Sequence, residues 1–295
     1  MDNTRRLLSH VSLIISIIVL ICYLTSLALE LELEFWKRIT LLGDEIFYVG
    51  MLPIIYHGVS RVLGIELVIT VMFTLWFGGT LKNVFKIPRP PRKLWLIEAS
   101  GYSFPSGHAL GSTVFWGYLA LWYRELLPLA LTLVIFISAS RVILRVHYLN
   151  DILGGIFLGI LILISSILIK KLVKKLNFWI KVLLLLLVGF MFILSSLILS
   201  VPTSISYPTL GTMLGGILGH ILLHRRETIS LHLSIKERIL GSLLGLIIGY
   251  IGYKLSAKIS DYLLLPYYVL VAFLIIYGVG VIIDKIREKG SRIIP

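Results

Sequence analysis

Apolar runs near 11–29, 45–62, 65–84, 108–123, 127–144, 151–169, 178–200, 206–223, 238–256 and 263–284 leave this chain few folds to choose from. A bilayer's hydrocarbon core, about 30 Å thick, is crossed by about 20 residues of helix, and most of the runs have that length. In hydrocarbon the backbone N–H and C=O groups have to be paired within the structure, which leaves helices or closed barrels. The runs are continuous and lack the alternation of a barrel strand. The predicted fold class is all-α, a polytopic transmembrane helix bundle of ten spans. The run at 45–62 is the weakest, since Pro53 and His57 interrupt it, and a short, kinked or partly interfacial helix is expected there.

Composition agrees. Hydrophobic residues make up 58% of the 295 positions, above the roughly 45–50% of soluble domains. The net charge of +13 raises the question of nucleic acid. The basic residues lie between apolar runs, however, and form no patch interleaved with aromatics, so nucleic acid is not an expected partner. With ten spans both termini share one side. That side carries 17 Lys and Arg and the other 11, together the 28 present. Positive-inside bias then puts the termini in the cytoplasm and the loops after spans three and five outside. Cys22 is the single cysteine, so no intramolecular disulfide forms. The first run follows Arg5 and Arg6 as in a signal peptide but exceeds the usual 7–15-residue core, and it reads as a first span. Gly211, Gly215 and Gly219, and again Gly241, Gly245 and Gly249, recur every four residues. Such rows let a neighbouring helix approach closely, either within the chain or across a homodimer.

Three polar clusters interrupt the apolar pattern. The first is LKNVFKIPRPP, 81–91, where Pro88, Pro90 and Pro91 end a helix just past Lys82 and hold Arg89 on an extended segment. Snorkelling accounts for Lys86 and Lys93, but not for an arginine fixed between prolines. The second is GYSFPSGHALGS, 101–112. Pro105 suits the first helical turn, which would leave the amides of Ser106, Gly107 and His108 facing outward with the positive end of the helix dipole. Such a start binds phosphate, and Gly107 keeps the approach clear. His108 exchanges a proton near neutrality. Tyr102, Phe104 and Trp95 read as headgroup guides or as interfacial belt aromatics. The third cluster is SRVILRVHYLND, 140–151. His147 and Asp151 share one helix face, so the carboxylate accepts from one imidazole nitrogen and leaves the other as a nucleophile. Arg141 would lie about 120° away from His147 on an unbroken helix, so a break between two spans is expected there.

These groups suit a phosphate: cations for its oxygens, one imidazole to attack phosphorus and another to protonate the leaving oxygen. No cluster of acids or His and Cys ligands points to a metal, so neither metal nor cofactor is expected, and the positive side chains carry the charge stabilisation. The spacing Lys-x6-Arg-Pro, then Pro-Ser-Gly-His, then Ser-Arg-x5-His-x3-Asp resembles the three-part signature of the type-2 phosphatidic acid phosphatase superfamily, which also includes the vanadium haloperoxidases. The resemblance covers roughly residues 40–170. It implies a metal-independent phosphatase with His147 as nucleophile, forming a phosphohistidine oriented by Asp151. His108 is implied as acid and then base, and Lys82, Arg89, Ser106, Gly107 and Arg141 as the phosphate-binding groups. The expected organisation is a six-helix catalytic core over 1–170 and a transmembrane extension over 171–295. Sphingosine-phosphate phosphatases and glucose-6-phosphatases also have extra C-terminal spans, a similarity of helix count alone. His220, His224 and His232 in that extension read as solvated or interfacial.

The expected function is hydrolysis of a lipid phosphate or diphosphate at the extracytoplasmic face of the cell membrane, with membrane lipids as the surroundings. A phosphotransferase or a sugar-phosphate phosphatase would use the same site. An anion transporter would explain the helices and cations but has no need of His147 and Asp151 one turn apart.

Overall fold

Each of the ten apolar runs is helical in the computed structural model, which describes residues 3–199, 201–225 and 233–291. His232, Arg226 and Arg292 lie outside the described residues. No strand occurs among the described residues, in keeping with the all-α prediction. The run at 263–284 is two helices, α11 (Asp261–Phe273) and α12 (Val279–Ser291), joined by a π-helical turn, Leu274–Gly278. The run at 45–62 is α3 (Glu45–Pro53) continued by a second π-helical turn, Ile54–Val59, and it ends where Ser60 becomes extended. One helix has no counterpart among the apolar runs. This is α2 (Glu32–Leu41), whose Glu32 and Glu34 favour a helix start but lower its hydropathy.

Among the described residues six helices are long and apolar enough to cross a membrane, or seven if the bent pair Glu32–Leu41 and Glu45–Val59 makes one span. The ten predicted spans include α5 (Gly107–Trp122), which at 16 residues is shorter than that ruler and buries ten of its residues. On α7 (Leu149–Lys175) an apolar face is turned outward. Leu149, Leu153, Phe157, Ile160, Ile164 and Leu168 form an exposed stripe along it. A contiguous apolar face of this kind calls for lipid or protein cover.

The chain divides into two compact units, Met1–Tyr48 with Phe77–Leu186, and Val49–Trp76 with Leu187–Pro295. In the first, α1 (Asn3–Ala28) and α2 pack on α6 (Leu127–Ile143) through Tyr23, Phe35, Trp36 and Phe136, whose ring centroids lie 5.2–5.8 Å apart. The packing of α5 on α7 positions the polar clusters. A Cβ at Gly155 would sit 2.9 Å from the Ser106 carbonyl, and one at Gly159 would sit 2.7 Å from Cβ of Thr113. Only glycine lets α7 come this near, and the approach sets the start of α7 beside the start of α5.

In the second unit the two glycine rows are taken up within the chain. On α9 (Thr203–His224), a Cβ at Gly211 would lie 2.7 Å from the Leu265 carbonyl, and Gly215 faces the backbone of Val269. On α10 (Ile235–Ser256), Gly241 faces Ile283 and His57, and Gly245 faces Pro53. Gly211, Gly215, Gly241 and Gly245 thus serve packing within the unit. The second unit also holds two histidines with polar partners. His57 is buried, with Nε2 2.9 Å from the Ile275 carbonyl, and Nδ1 of His220 lies 2.9 Å from the Tyr56 hydroxyl.

Gly159→Val should overpack the α5–α7 contact at a cost of about 1–3 kcal/mol. Gly249→Ala, where the nearest atom would be Ile275 Cδ1 at 3.7 Å, should leave stability unchanged or slightly raised. Thermal unfolding of the two variants in detergent checks the contrast.

Candidate active site

Four helix ends and two loops of the first unit build the site. Lys82 lies in the last turn of α4 (Arg61–Phe85), which is closed by Lys86 in the left-handed region at φ 50°. The loop from Ile87 to Ser106 folds back on the helix ends. The Ser103 amide donates to the Ile87 carbonyl at 2.8 Å, and the Leu96 amide to the Leu144 carbonyl at 3.1 Å. Trp95 Nε1 donates to the Pro90 carbonyl at 2.7 Å, closing the turn that carries Arg89. The expected break between Arg141 and His147 is present. α6 ends at Ile143, Arg145 turns the chain at φ 60°, and α7 begins at Leu149.

Arg89 is held by three carbonyls. Nε donates to Gly101 at 3.0 Å, Nη2 to Ser100 at 2.7 Å and Nη1 to Val146 at 2.8 Å. Nη1 also lies 2.9 Å from Nε2 of His147. A guanidinium has no acceptor, so Nε2 has to be the lone-pair nitrogen and the ring proton belongs on Nδ1. Nδ1 lies 3.3 Å from Oδ2 of Asp151 and 3.3 Å from Oγ of Ser103. The Ser103 hydroxyl in turn donates to Oδ2 of Asp151, and so does the Tyr148 amide at 2.8 Å. One carboxylate oxygen thus collects three donors and fixes the imidazole tautomer with Nε2 available.

His147 and Asp151 are buried, at 3% and 2% exposure. Burial pushes the His147 imidazole down to about 3, with Asp151 opposing and Arg89, Lys82 and Arg141 adding to the fall. The ring is therefore neutral at physiological pH, the state a nucleophile requires. Burial also lowers Arg89 from the ordinary guanidinium range, and Asp151 opposes it.

The remaining predicted groups join the same cluster. Lys82 Nζ donates to the Tyr102 carbonyl at 2.6 Å, and Arg141 Nη1 donates to Thr40 Oγ1 at 2.7 Å while its buried Nε has no protein partner. Nε2 of His108 lies 3.1 Å from Oδ1 of Asp44, near enough for charge pairing though not aligned as a hydrogen bond. Two details of the α5 start differ from expectation. Pro105 lies before the helix, not in its first turn, because Ser106 is the N-cap and accepts the Ala109 amide on Oγ at 3.5 Å. The Ser106 amide is also not open to a ligand, since it donates to the Asp151 carbonyl at 3.0 Å. Gly107 is exposed, with open space where a Cβ would project, and as the first helical residue it leaves its amide unpaired within the helix.

Sequence reasoning missed Ser103, Thr40 and Asp44. Ser103 stands two residues before Pro105 with nothing in its spacing to mark it. Thr40 and Asp44 belong to α2 and the turn after it, a stretch the hydropathy pattern passes over. The one available signal was a pair of carboxylates after a glycine between two apolar runs, in LLGDE.

A family model described as the PAP2 superfamily matches residues 63–177, which contain all three clusters. The putative undecaprenyl-diphosphatase YbjG of Escherichia coli (strain K12) is 32% identical over 143 residues, 42% of this chain and 67% of that protein. The chain belongs to the PAP2 superfamily. Other PAP2-type relatives include sphingosine-1-phosphate phosphatase 1 of Rattus norvegicus, 29% identical over 153 residues, 47% of this chain and 35% of that protein. A probable sphingosine-1-phosphate phosphatase of Dictyostelium discoideum is 28% identical over 148 residues, 45% of this chain and 36% of that protein. The chain thus spans about a third of the length of these two relatives. No solved structure matches it. Thr40 and Asp44 lie ahead of the residues matched by the PAP2 model.

The buried imidazole makes stability pH-dependent in a definite sense. The folded value of His147 lies below the ordinary value near 6.5, so the unfolded chain takes up its proton first as pH falls. The contribution is complete above about 6.5 and is lost progressively toward about 3. Wild-type protein should therefore lose unfolding temperature more steeply than His147→Gln between about pH 7 and pH 4, measured by thermal unfolding in detergent.

Proposed function

We propose that the chain is an integral-membrane phosphatase that hydrolyses a lipid phosphate or diphosphate at the extracytoplasmic face, without a metal, through a phosphohistidine. The observation that carries this reading is the fixed tautomer of His147. Its Nδ1–H faces Asp151 and its Nε2 lone pair faces Arg89 at 2.9 Å. The relatives named as phosphatases of sphingosine 1-phosphate and undecaprenyl diphosphate support a lipid substrate. A site built at helix ends suits a headgroup whose tail stays in the bilayer.

In the first step Nε2 of His147 attacks phosphorus while the bond to the lipid oxygen breaks. His108 gives its proton to that leaving oxygen. The imidazole now carries the phosphoryl group on Nε2 and a proton on Nδ1, and the Asp151 carboxylate balances its positive charge. In the second step water attacks phosphorus, His108 takes the water's proton, and the P–N bond breaks to return neutral His147 with inorganic phosphate. Lys82, Arg89 and Arg141 neutralise the equatorial oxygens, with the Gly107 amide and the Ser106 residue at the helix start beside them. Arg89 trades its bond to Nε2 for a phosphate oxygen as substrate enters. All of these groups fall within residues 1–170, and the extension over 171–295 supplies none of them.

His147→Ala should lower phosphate release from a lipid phosphate by about 10³-fold or more. Brief incubation of wild-type protein with ³²P-labelled substrate should leave a base-stable, acid-labile phosphoprotein that the variant lacks. Vanadate should inhibit, and EDTA should not. Strict dependence on added magnesium, or turnover by His147→Ala, would falsify the assignment. Arg89→Lys keeps the charge and loses the forked donors, at a cost of about 1.5–3 kcal/mol in kcat/KM, read in the same assay.

A further inference from the structure

The scheme above gives His108 two proton transfers and leaves open what orients it. His108 Nε2 is 3.1 Å from Oδ1 of Asp44, and the Asp44 side chain is 43% exposed, so this carboxylate stands between the imidazole and the solvent edge of the unit. The turn carrying Asp44 is pressed against the imidazole. A Cβ at Gly43 would lie 2.7 Å from Cδ2 of His108 and would also meet Ile137, so any larger residue there displaces the ring. One turn earlier on the same segment, Thr40 accepts from Arg141 at 2.7 Å. The α2–α3 junction therefore touches two of the groups in the scheme.

The charged groups facing His108 are Asp44 from that junction, Arg141 from α6 and Lys82 from α4. Two of the three are cations, which disfavour a proton on the ring, and Asp44 is the one counter-charge among them. A leaving alkoxide needs that proton, and a histidine with no anion beside it would give it up readily to the solvent.

We propose that Asp44 is a positioning residue for the proton-transferring histidine, the carboxylate that orients His108 and favours its protonated form, so that the Gly43–Asp44 turn is a fourth part of the site outside the segment matched by the family. The inference rests on the phosphatase reading. It assigns each imidazole its own carboxylate: Asp151 fixes the tautomer of the nucleophile, and Asp44 offers the acid a counter-charge for its proton.

The test uses the purified full chain in detergent as wild type, Asp44→Asn, Asp44→Glu, Gly43→Ala and His147→Ala. Each is assayed on phosphatidic acid, whose alkoxide must be protonated to leave, and on p-nitrophenyl phosphate, whose phenolate leaves unaided. Asp44→Asn should lower kcat on phosphatidic acid by about 10- to 100-fold with KM within about twofold. Its high-pH limb should move down by about one pH unit, and the loss on p-nitrophenyl phosphate should stay within about threefold. Asp44→Glu should recover part of the rate. Gly43→Ala, which displaces the ring, should give the Asn pattern, and it decides the matter together with Asp44→Glu if Asp44→Asn does not fold. Equal losses on both substrates with an unmoved pH profile, or wild-type behaviour of Asp44→Asn, would overturn the proposal. Should the wild type hydrolyse neither of these nor a polyprenyl diphosphate, or His147→Ala remain active, the phosphatase reading itself fails and this inference goes with it. A dead His147→Ala beside an unaffected Asp44→Asn removes Asp44 alone.

Discussion

The bond from the Ser106 amide to the Asp151 carbonyl, 3.0 Å long, ties the start of α5 to the first turn of α7. It forms because Gly155 and Gly159 let the two helices approach within backbone contact. Without that approach the histidine at the head of α5 and the histidine before α7 would belong to separate surfaces. The loop carrying Arg89 is fastened to the α7 side of that pair, through Ser103 to Asp151 and through Arg89 to the Val146 carbonyl. A site drawn from residues 40 to 151 thus depends on one close helix pair.

The polar groups within it are paired with unusual economy. Asp151 uses one oxygen for Ser103, His147 and Tyr148, and Arg89 spends its donors on Ser100, Gly101, Val146 and His147. Buried charge is costly unless it is hydrogen-bonded. Here the bonds that satisfy Arg89 are the same ones that select the tautomer of His147. Structure and chemistry are therefore coupled, and loosening the loop also releases the imidazole.

Much of this was legible in the residues. The apolar runs set the class of fold, and the spacing from Arg141 to His147 called for a helix break, which Arg145 provides in the left-handed region. Three clusters far apart in sequence meet, because each stands at a helix end, the C-terminal end of α4 and α6 and the N-terminal end of α5 and α7. What escaped was set by three-dimensional neighbours. Nothing local in GYSFPSGH says that the Ser106 amide is taken by Asp151, since that partner is 45 residues away and reaches it through a helix contact. Nor could hydropathy flag α2, an amphipathic ten-residue helix whose acidic first turn masks its buried Trp36 and Ile39. In the extension, the glycine rows were visible as close-packing faces, but which helix filled them was not.

One consequence belongs to the 2.9 Å contact between Arg89 and Nε2 of His147. There the lone pair that would attack phosphorus is already engaged. Under the phosphatase reading, an amphiphile without an anionic headgroup could lodge beside the imidazole and find it sheathed, because only a competing anion draws the guanidinium away. Discrimination would then reside in unmasking the attacking atom as well as in grip on the headgroup, and uncharged lipids at the entrance would be bystanders.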